Sequence, residues 1–285
     1  MAAVDHQTVI DWPVATNRSP KDQQQAMISH IESLRKKLQD GQLCLGTGVT
    51  FTDPTVTESL ASRVDFVWID LEHNPTNLET MLAHLIAARA GGTAALVRVP
   101  SGEIGWVKRV LDTGAEGIIL PQAADAQAVR EFISACRYPP LGTRGFGPRR
   151  PSRYGELQGD EYLEHANRHV FTVVQIETQR ALEEVEEIAA IEGLDSIALG
   201  PNDLSGSIGR LGHLDDPAVN DAIRRVADAA HAEGKSCGAG LGGSADYAEV
   251  LAGLGVDWLQ VGNDYEYMNR FAESLFDEVR QRVTA

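Results

Sequence analysis

The sequence predicts an α/β protein built as one (β/α)8 TIM barrel, and three observations carry that prediction. The chain has 285 residues, more than an average domain but ordinary for a closed barrel of strand–helix units. Eight short apolar runs recur along it. Each is too short for a buried helix and too continuous for a strand with one wet face, as parallel strands covered on both faces require. Between them lie stretches with apolar residues at helical spacing, several ending in glycine, a helix-stop signal.

Residues 1–25 are polar and aperiodic and are expected to form an arm, leaving 26–285 as a single barrel domain. A first helix is expected in "AMISHIESLRKKLQD". Strands are expected at 43–49, 65–70, 94–100, 117–122, 170–177, 194–200, 235–240 and 256–262. The helical stretches between them include "NLETMLAHLIAARAG", "EIGWVKRVLDTG", "DAQAVREFISACR", "ALEEVEEIAAIEG" and "DPAVNDAIRRVADAAHAEG". One connection, 137–169, is long, and long barrel loops tend to be functional. The last helix, in "EYMNRFAESLFDEVRQRV", is expected either to close the barrel or to pack on another subunit.

Composition narrows the function. Apolar residues make up 43% and charged residues 23%, the mix of a globular protein with a large core. A net charge of −16 argues against nucleic acid and against an anionic membrane surface. No run approaches the roughly 18 apolar residues of a membrane span. The first residues show no charged-then-apolar signal pattern, so the expected location is the cytoplasm. Cys44, Cys136 and Cys237 are far apart, lie in apolar surroundings and form no metal or disulfide spacing. They are expected to be small core residues.

A barrel places its chemistry at the C-terminal ends of its strands. The second run ends in Asp70, Glu72 and His73, and the third carries Arg98 within an apolar stretch. The fourth ends in Pro121 and Gln122. The fifth ends in Gln175 and Glu177, which alternate and so share a face. The sixth leads into "GPNDLSGSIG" and Asp203, and the eighth ends at Asn263 and Asp264. A lone strand-end Asp is as often a helix cap. Two carboxylates, an arginine and a histidine from different strands, all at one mouth, make a site.

Glu177 and Asp203 offer hard oxygen ligands with no cysteine, which suits Mg²⁺ or Mn²⁺. Arg98 offers a planar fork to a carboxylate. A metal beside an arginine is a trap for a 2-oxo acid, because both stabilise the enolate left by proton loss or carbon–carbon cleavage. His73 is the expected base, with Asp70 holding its orientation.

The segments "DFVWIDLEHNPTN", "LVRVP", "GAEGIILPQ", "CRYPPLGTRGFG", "VVQIET" and "LDSIALGPNDLSGSIG" resemble the HpcH/HpaI aldolases, metal-dependent class II pyruvate aldolases, over about residues 40–265. The resemblance implies a (β/α)8 barrel, often a hexamer (a trimer of dimers) that exchanges its last helix between subunits. It implies reversible cleavage of 4-hydroxy-2-oxo acids to pyruvate and an aldehyde with a divalent cation, Mg²⁺, Mn²⁺ or Co²⁺. It assigns Glu177 and Asp203 to the metal, Arg98 to the pyruvate oxygen, and His73 with Asp70 to the acid–base dyad. Gln175 falls beside the metal. The backbone of Gly200, Pro201, Asn202 and Asp203 falls on the substrate carboxylate. Related enzymes imply the alternatives of oxaloacetate decarboxylation or macrophomate-synthase-like bond formation from the same enolate.

Three departures from the family pattern bear on the acceptor. Leu71 stands where the strand-two motif commonly has glycine, "GFGPRRPSRYG" is short and gains Arg149 and Arg150, and "GAGLGGS" is rich in glycine. Arg149 and Arg150 are expected near the mouth, one of them holding an anionic end of the substrate. "GAGLGG" fits a dinucleotide fingerprint poorly, because one strand follows where several are needed; a phosphate site on that loop or a tight turn fits better. His84, His165, His169, His213 and His231 are expected at the surface or as caps. Lys235 begins strand seven and Lys108 lies on a helix, so neither suits a Schiff-base aldolase. The competing class is a non-catalytic barrel acting as a binding protein.

Overall fold

The computed structural model describes residues 30–284; the expected arm and the start of the expected first helix lie outside them. Eight parallel strands pair in sequence order and β8 pairs back to β1, closing the barrel. The strands are Cys44–Val49 (β1), Phe66–Asp70 (β2), Ala94–Arg98 (β3), Gly117–Leu120 (β4), Phe171–Ile176 (β5), Ser196–Leu199 (β6), Ser236–Leu241 (β7) and Trp258–Asn263 (β8). Helix His30–Gln39 (α1) precedes them, and Pro54–Ala61 (α2), Leu78–Ala90 (α3), Ile104–Thr113 (α4) and Ala126–Cys136 (α5) follow the first four. The long connection contains helix Gly159–His169 (α6). Gln179–Glu183 (α7) and Val185–Ala189 (α8) divide one expected helix at Glu184. Pro201–Ser207 (α9), Pro217–Ala232 (α10), Ala245–Gly253 (α11) and Asp264–Thr284 (α12) complete the chain. Helix starts follow their caps: Asp53, Asn77, Asp125, Thr178, Asp216 and Ser244 each accept a first-turn N–H.

The two-residue period of a strand decides what fills the barrel. Phe66 and Trp68 on β2, Ala94 and Leu96 on β3, Phe171 and Val173 on β5, and Trp258 on β8 form one buried cluster. Ile31 and Leu34 of α1 join it and close the N-terminal end. Glycines make room for the large rings: Gly46 lies beside Phe66, and Gly238 beside Trp258. Each large buried side chain contributes about 1.5–3 kcal/mol. Continuing the same alternation upward, the next inward residues are Asp70, Arg98 and Gln175. The interior therefore turns from apolar to polar toward the C-terminal ends of the strands.

The second, larger cluster lies between the barrel and its helices. It includes Cys136 and Cys237, and all three cysteines are buried and free, as expected. His84 corrects an expectation: it is fully buried, with its ring hydrogen-bonded to Thr57 Oγ1 at 2.8 Å. It shares the inward face of α3 with Met81, Leu85 and Ala88. Among the described residues no helix is long and apolar enough to cross a membrane. β8 closes the sheet on β1, and with Asp264 accepting the N–H groups of Thr50 at 2.9 Å and Phe51 at 3.0 Å, the end of that seam is tied by α12. That helix exposes Met268, Phe271, Leu275, Phe276, Val279 and Val283.

Candidate active site

The polar ends of β2, β3 and β5 meet around one guanidinium. Arg98 donates from Nε to Asp70 Oδ1 at 2.9 Å and from Nη2 to Asp70 Oδ2 at 2.8 Å, a two-pronged bond that fixes its plane. Its Nη1 lies 3.1 Å from Glu72 Oε2 and donates to Gln175 Oε1 at 3.3 Å. The face of Trp68 lies 5.4 Å from the guanidinium carbon. Burial works to lower the pKa of Arg98, and Asp70, Glu72 and Glu177 outweigh it and hold it above its usual value.

Asp70 also accepts the backbone N–H groups of Glu72 at 3.0 Å and His73 at 3.3 Å, and so shapes the turn that leaves β2. The imidazole of His73 meets Glu72 instead, Nε2 to Oε2 at 3.6 Å, and is 64% exposed at the rim. The expected ring contact between Asp70 and His73 is thus replaced by a backbone one, because Arg98 occupies both oxygens of Asp70. Glu72, which the sequence placed at this strand end without a role, joins the site. It accepts from Gln122 Nε2 at 3.0 Å. Burial, against the pull of Arg98 and His73, raises its pKa. Its Oε2, although near Arg98, is buried without a hydrogen-bond partner.

Glu177, just past β5, is 4% exposed. One oxygen accepts the backbone N–H of Gln122, a non-glycine residue at φ 47°. The other lies against Gly200, where an added Cβ would sit 2.4 Å from it. Burial first, then the charges of Asp203 and Glu72, raise the pKa of Glu177 against the Gln122 N–H and Arg98. Asp203 stands in the first turn of α9. Two hard carboxylates that repel each other, beside a buried carboxylate oxygen without a donor, suit a divalent cation. Among the described residues no three His, Cys, Asp or Glu side chains converge on a metal position. Two carboxylates are the number that Mg²⁺ commonly takes, with water and substrate completing its shell.

Asp70, His73, Arg98, Gln175, Gly200, Pro201, Asn202 and Asp203 line a cavity of about 350 Å³, and Glu72 and Glu177 are not among its lining residues. Its far wall is Gln260, Asn263 and Glu266. The volume suits a small molecule. One expectation fails here. Arg150 lies at the opposite end of the barrel, donating to the carbonyl of Gly114 at 3.3 Å, and neither it nor Arg149 lines the mouth. In loop seven, the N–H of Gly243 donates to Glu266 Oε2 at 2.8 Å, which favours the tight turn over a phosphate site there.

A closed parallel barrel with buried ionisable groups gathered at the C-terminal ends of its strands has the architecture of a TIM-barrel enzyme. The chain belongs to the HpcH/HpaI aldolase/citrate lyase family, whose model matches residues 49–269. It is 34% identical over 73% of its length to a hydroxypyruvate/pyruvate aldolase of Roseovarius nubinhibens, covering 83% of that protein. It is 35% identical over 87% of its length to a 4-hydroxy-2-oxovalerate aldolase of Rhodococcus jostii, covering 96% of that protein. A solved family member from Burkholderia cenocepacia superposes with a TM-score of 0.82 at 31% identity, over 87% of this chain and 99% of that one. The protein is an enzyme of the class II pyruvate aldolase kind, a carbon–carbon lyase.

Proposed function

We propose that the enzyme cleaves and forms 4-hydroxy-2-oxo acids through the enolate of pyruvate, with Mg²⁺, Mn²⁺ or Co²⁺ held by Glu177 and Asp203. One observation carries this: a half-buried guanidinium, locked by Asp70, beside two carboxylates of adjacent strand ends. The names of the relatives support it. When bound, the cation supplies Lewis-acid polarisation of the 2-oxo acid.

Asp70 takes the Nε N–H and one Nη2 N–H of Arg98, and Nη1 faces Glu72 and Gln175, so the 2-oxo oxygen takes the second Nη2 N–H or displaces Gln175 from Nη1. There the fixed positive charge stabilises the oxygen as it gains negative charge. The first-turn N–H groups of Gly200, Pro201's successor Asn202, and Asp203 suit the substrate carboxylate. His73, exposed at the rim with Glu72 beside it, takes the proton from the C4 hydroxyl. The C3–C4 bond then breaks, the aldehyde leaves, and C3 of the enolate accepts a proton to give pyruvate. Asp70 positions His73 through the backbone of the turn.

We infer a homo-oligomer, a hexamer or trimer of dimers, because α12 presents an apolar stripe that its own barrel does not cover. The cytoplasm is the setting we infer, and three free buried thiols support it. The experiment measures pyruvate release from a panel of 4-hydroxy-2-oxo acids and oxaloacetate, after EDTA treatment and after addition of each cation. EDTA should abolish release and a cation restore it. Full turnover by Glu177→Gln/Asp203→Asn would refute the assignment, and release from oxaloacetate alone would make the enzyme a decarboxylase.

A further inference from the structure

A second cavity, of about 90 Å³, opens at the N-terminal end of the barrel, away from the mouth. Its wall is formed by the last turns of α3 and α4, the loop after α5, and α6. In a chain of net charge −16, four arginines line it, Arg89, Arg144, Arg150 and Arg153, against one carboxylate, Glu116. Arg144 is paired with Asp112 at 2.8 Å. Arg89 and Arg150 have no carboxylate at ion-pair distance among the described residues. Gly114, at φ 102°, makes room for Arg150: a Cβ there would lie 2.6 Å from its Nη1. Burial, and then the charge of Arg89, lower the pKa of Arg150.

On α6, the rings of His165 and His169 stack with centroids 4.2 Å apart. His169 Nδ1 meets Glu32 at 2.9 Å, whereas His165 Nδ1 is buried without a hydrogen-bond partner. The loop that carries the arginines is itself strained. Arg153 at φ 51° and Tyr154 at φ 57° are consecutive non-glycine residues in the left-handed region, a strained arrangement for L side chains. Neighbouring guanidiniums, an orphaned ring nitrogen and a strained wall each destabilise the fold on their own. An anion between Arg89, Arg150 and His165 relieves the first two and gives the strained loop a purpose.

We propose that this cavity binds a compact oxyanion of the phosphate type, held by Arg150 and Arg89 with His165 as a further donor. Donors from α3, α6 and the loop arrive from different directions, which fits a tetrahedral anion better than a planar carboxylate. The volume holds several waters, enough for phosphate and too little for a nucleotide.

The test is calorimetric titration of the intact, EDTA-treated protein with inorganic phosphate in a phosphate-free, carboxylate-free buffer. Arg98→Ala serves to separate this site from the mouth. Saturable binding that survives Arg98→Ala is expected, weakening as salt is raised. Arg150→Gln should raise the dissociation constant about tenfold or more, on the scale of one charged hydrogen bond. Arg89→Gln, at an exposed side chain, should weaken binding in the same way and guards against misfolding of the first variant. The proposal is overturned by three results: no saturable binding below about 10 mM (a free energy under about 3 kcal/mol), binding lost in Arg98→Ala, or binding unchanged in both arginine variants. The last would make these arginines caps for helix C-termini only.

Discussion

Gly200 shows how closely single residues define this site. Its φ of −103° suits any amino acid, so the backbone does not demand glycine there. The space does, because an added Cβ would meet Glu177 Oε2 at 2.4 Å. Glu177 cannot swing away freely, since its other oxygen holds the N–H of Gln122. Gly200→Ala should therefore lower kcat/KM for pyruvate release by about 10²-fold, the usual effect of a displacement near 1 Å, and leave the melting temperature within a few degrees. Unchanged kinetics would show that the Glu177 carboxylate does not act from this position. The sequence already marked Asp70, His73, Arg98, Gln175, Glu177 and Asp203, because strand ends in a barrel share one mouth. It did not mark how they pair. Arg98 takes both oxygens of Asp70, and Glu72 and Gln122 form a second tier of contacts. Side-chain partners and a left-handed φ at Gln122 depend on three-dimensional proximity, which no spacing rule encodes. His84 was legible and passed over: it falls on the helical face of Met81, Leu85 and Ala88, and burial keeps it neutral by lowering its pKa.

Among the elements, the strands were legible from their apolar runs: six of the eight expected runs contain their strands, and β7 and β8 run one residue past theirs, to Leu241 and Asn263. The strand alternation also sorts interior from exterior. That sorting gives a prediction on β7. Gly238 stands opposite Trp258 on β8, and a Cβ there would lie 1.8 Å from the indole. The indole cannot yield easily, since its N–H donates to Ser196 Oγ at 2.9 Å and its face meets Phe66 edge-on at 5.3 Å. Gly238→Ala should destabilise by about 1–3 kcal/mol, read as a fall of several degrees in Tm by calorimetry. An unchanged Tm would mean the interior layer is looser than this register implies. The loop carrying Arg149 and Arg150 was misplaced for a reason of connectivity. It follows α5 and leads into β5, and a helix-to-strand connection returns to the N-terminal end of a barrel. Only strand-to-helix connections build the mouth. Its order along the chain therefore contained the answer that its positive charge obscured.

For the molecule as a whole, charge and shape pull in opposite directions. A net charge of −16 makes any two copies repel. Yet α12 carries Met268, Phe271, Leu275, Val279 and Val283 at steps of three and four, with Phe276 beside Leu275, all exposed on the isolated chain, with Phe271 69% and Phe276 56% exposed. Such a stripe is the apolar face of a helix that lacks its partner. A second copy that meets it through the same face buries both stripes at once, as a two-fold interface does. Phe271→Asp/Phe276→Asp places charge in that seam and should reduce the mass measured by light scattering to that of smaller species. The parent mass retained in this variant, or a monomeric parent, would refute an assembly through α12. Salt supplies a second, independent sign. An interface held by ion pairs loosens as salt rises, whereas an apolar seam between two acidic chains tightens, because screening removes their repulsion and leaves the hydrophobic term. At about 0.5 M salt the Debye length falls well below the roughly 10 Å it has at 0.1 M. Sedimentation should then show a smaller dissociation constant for the parent, and a larger one would assign the contact to charge pairs instead.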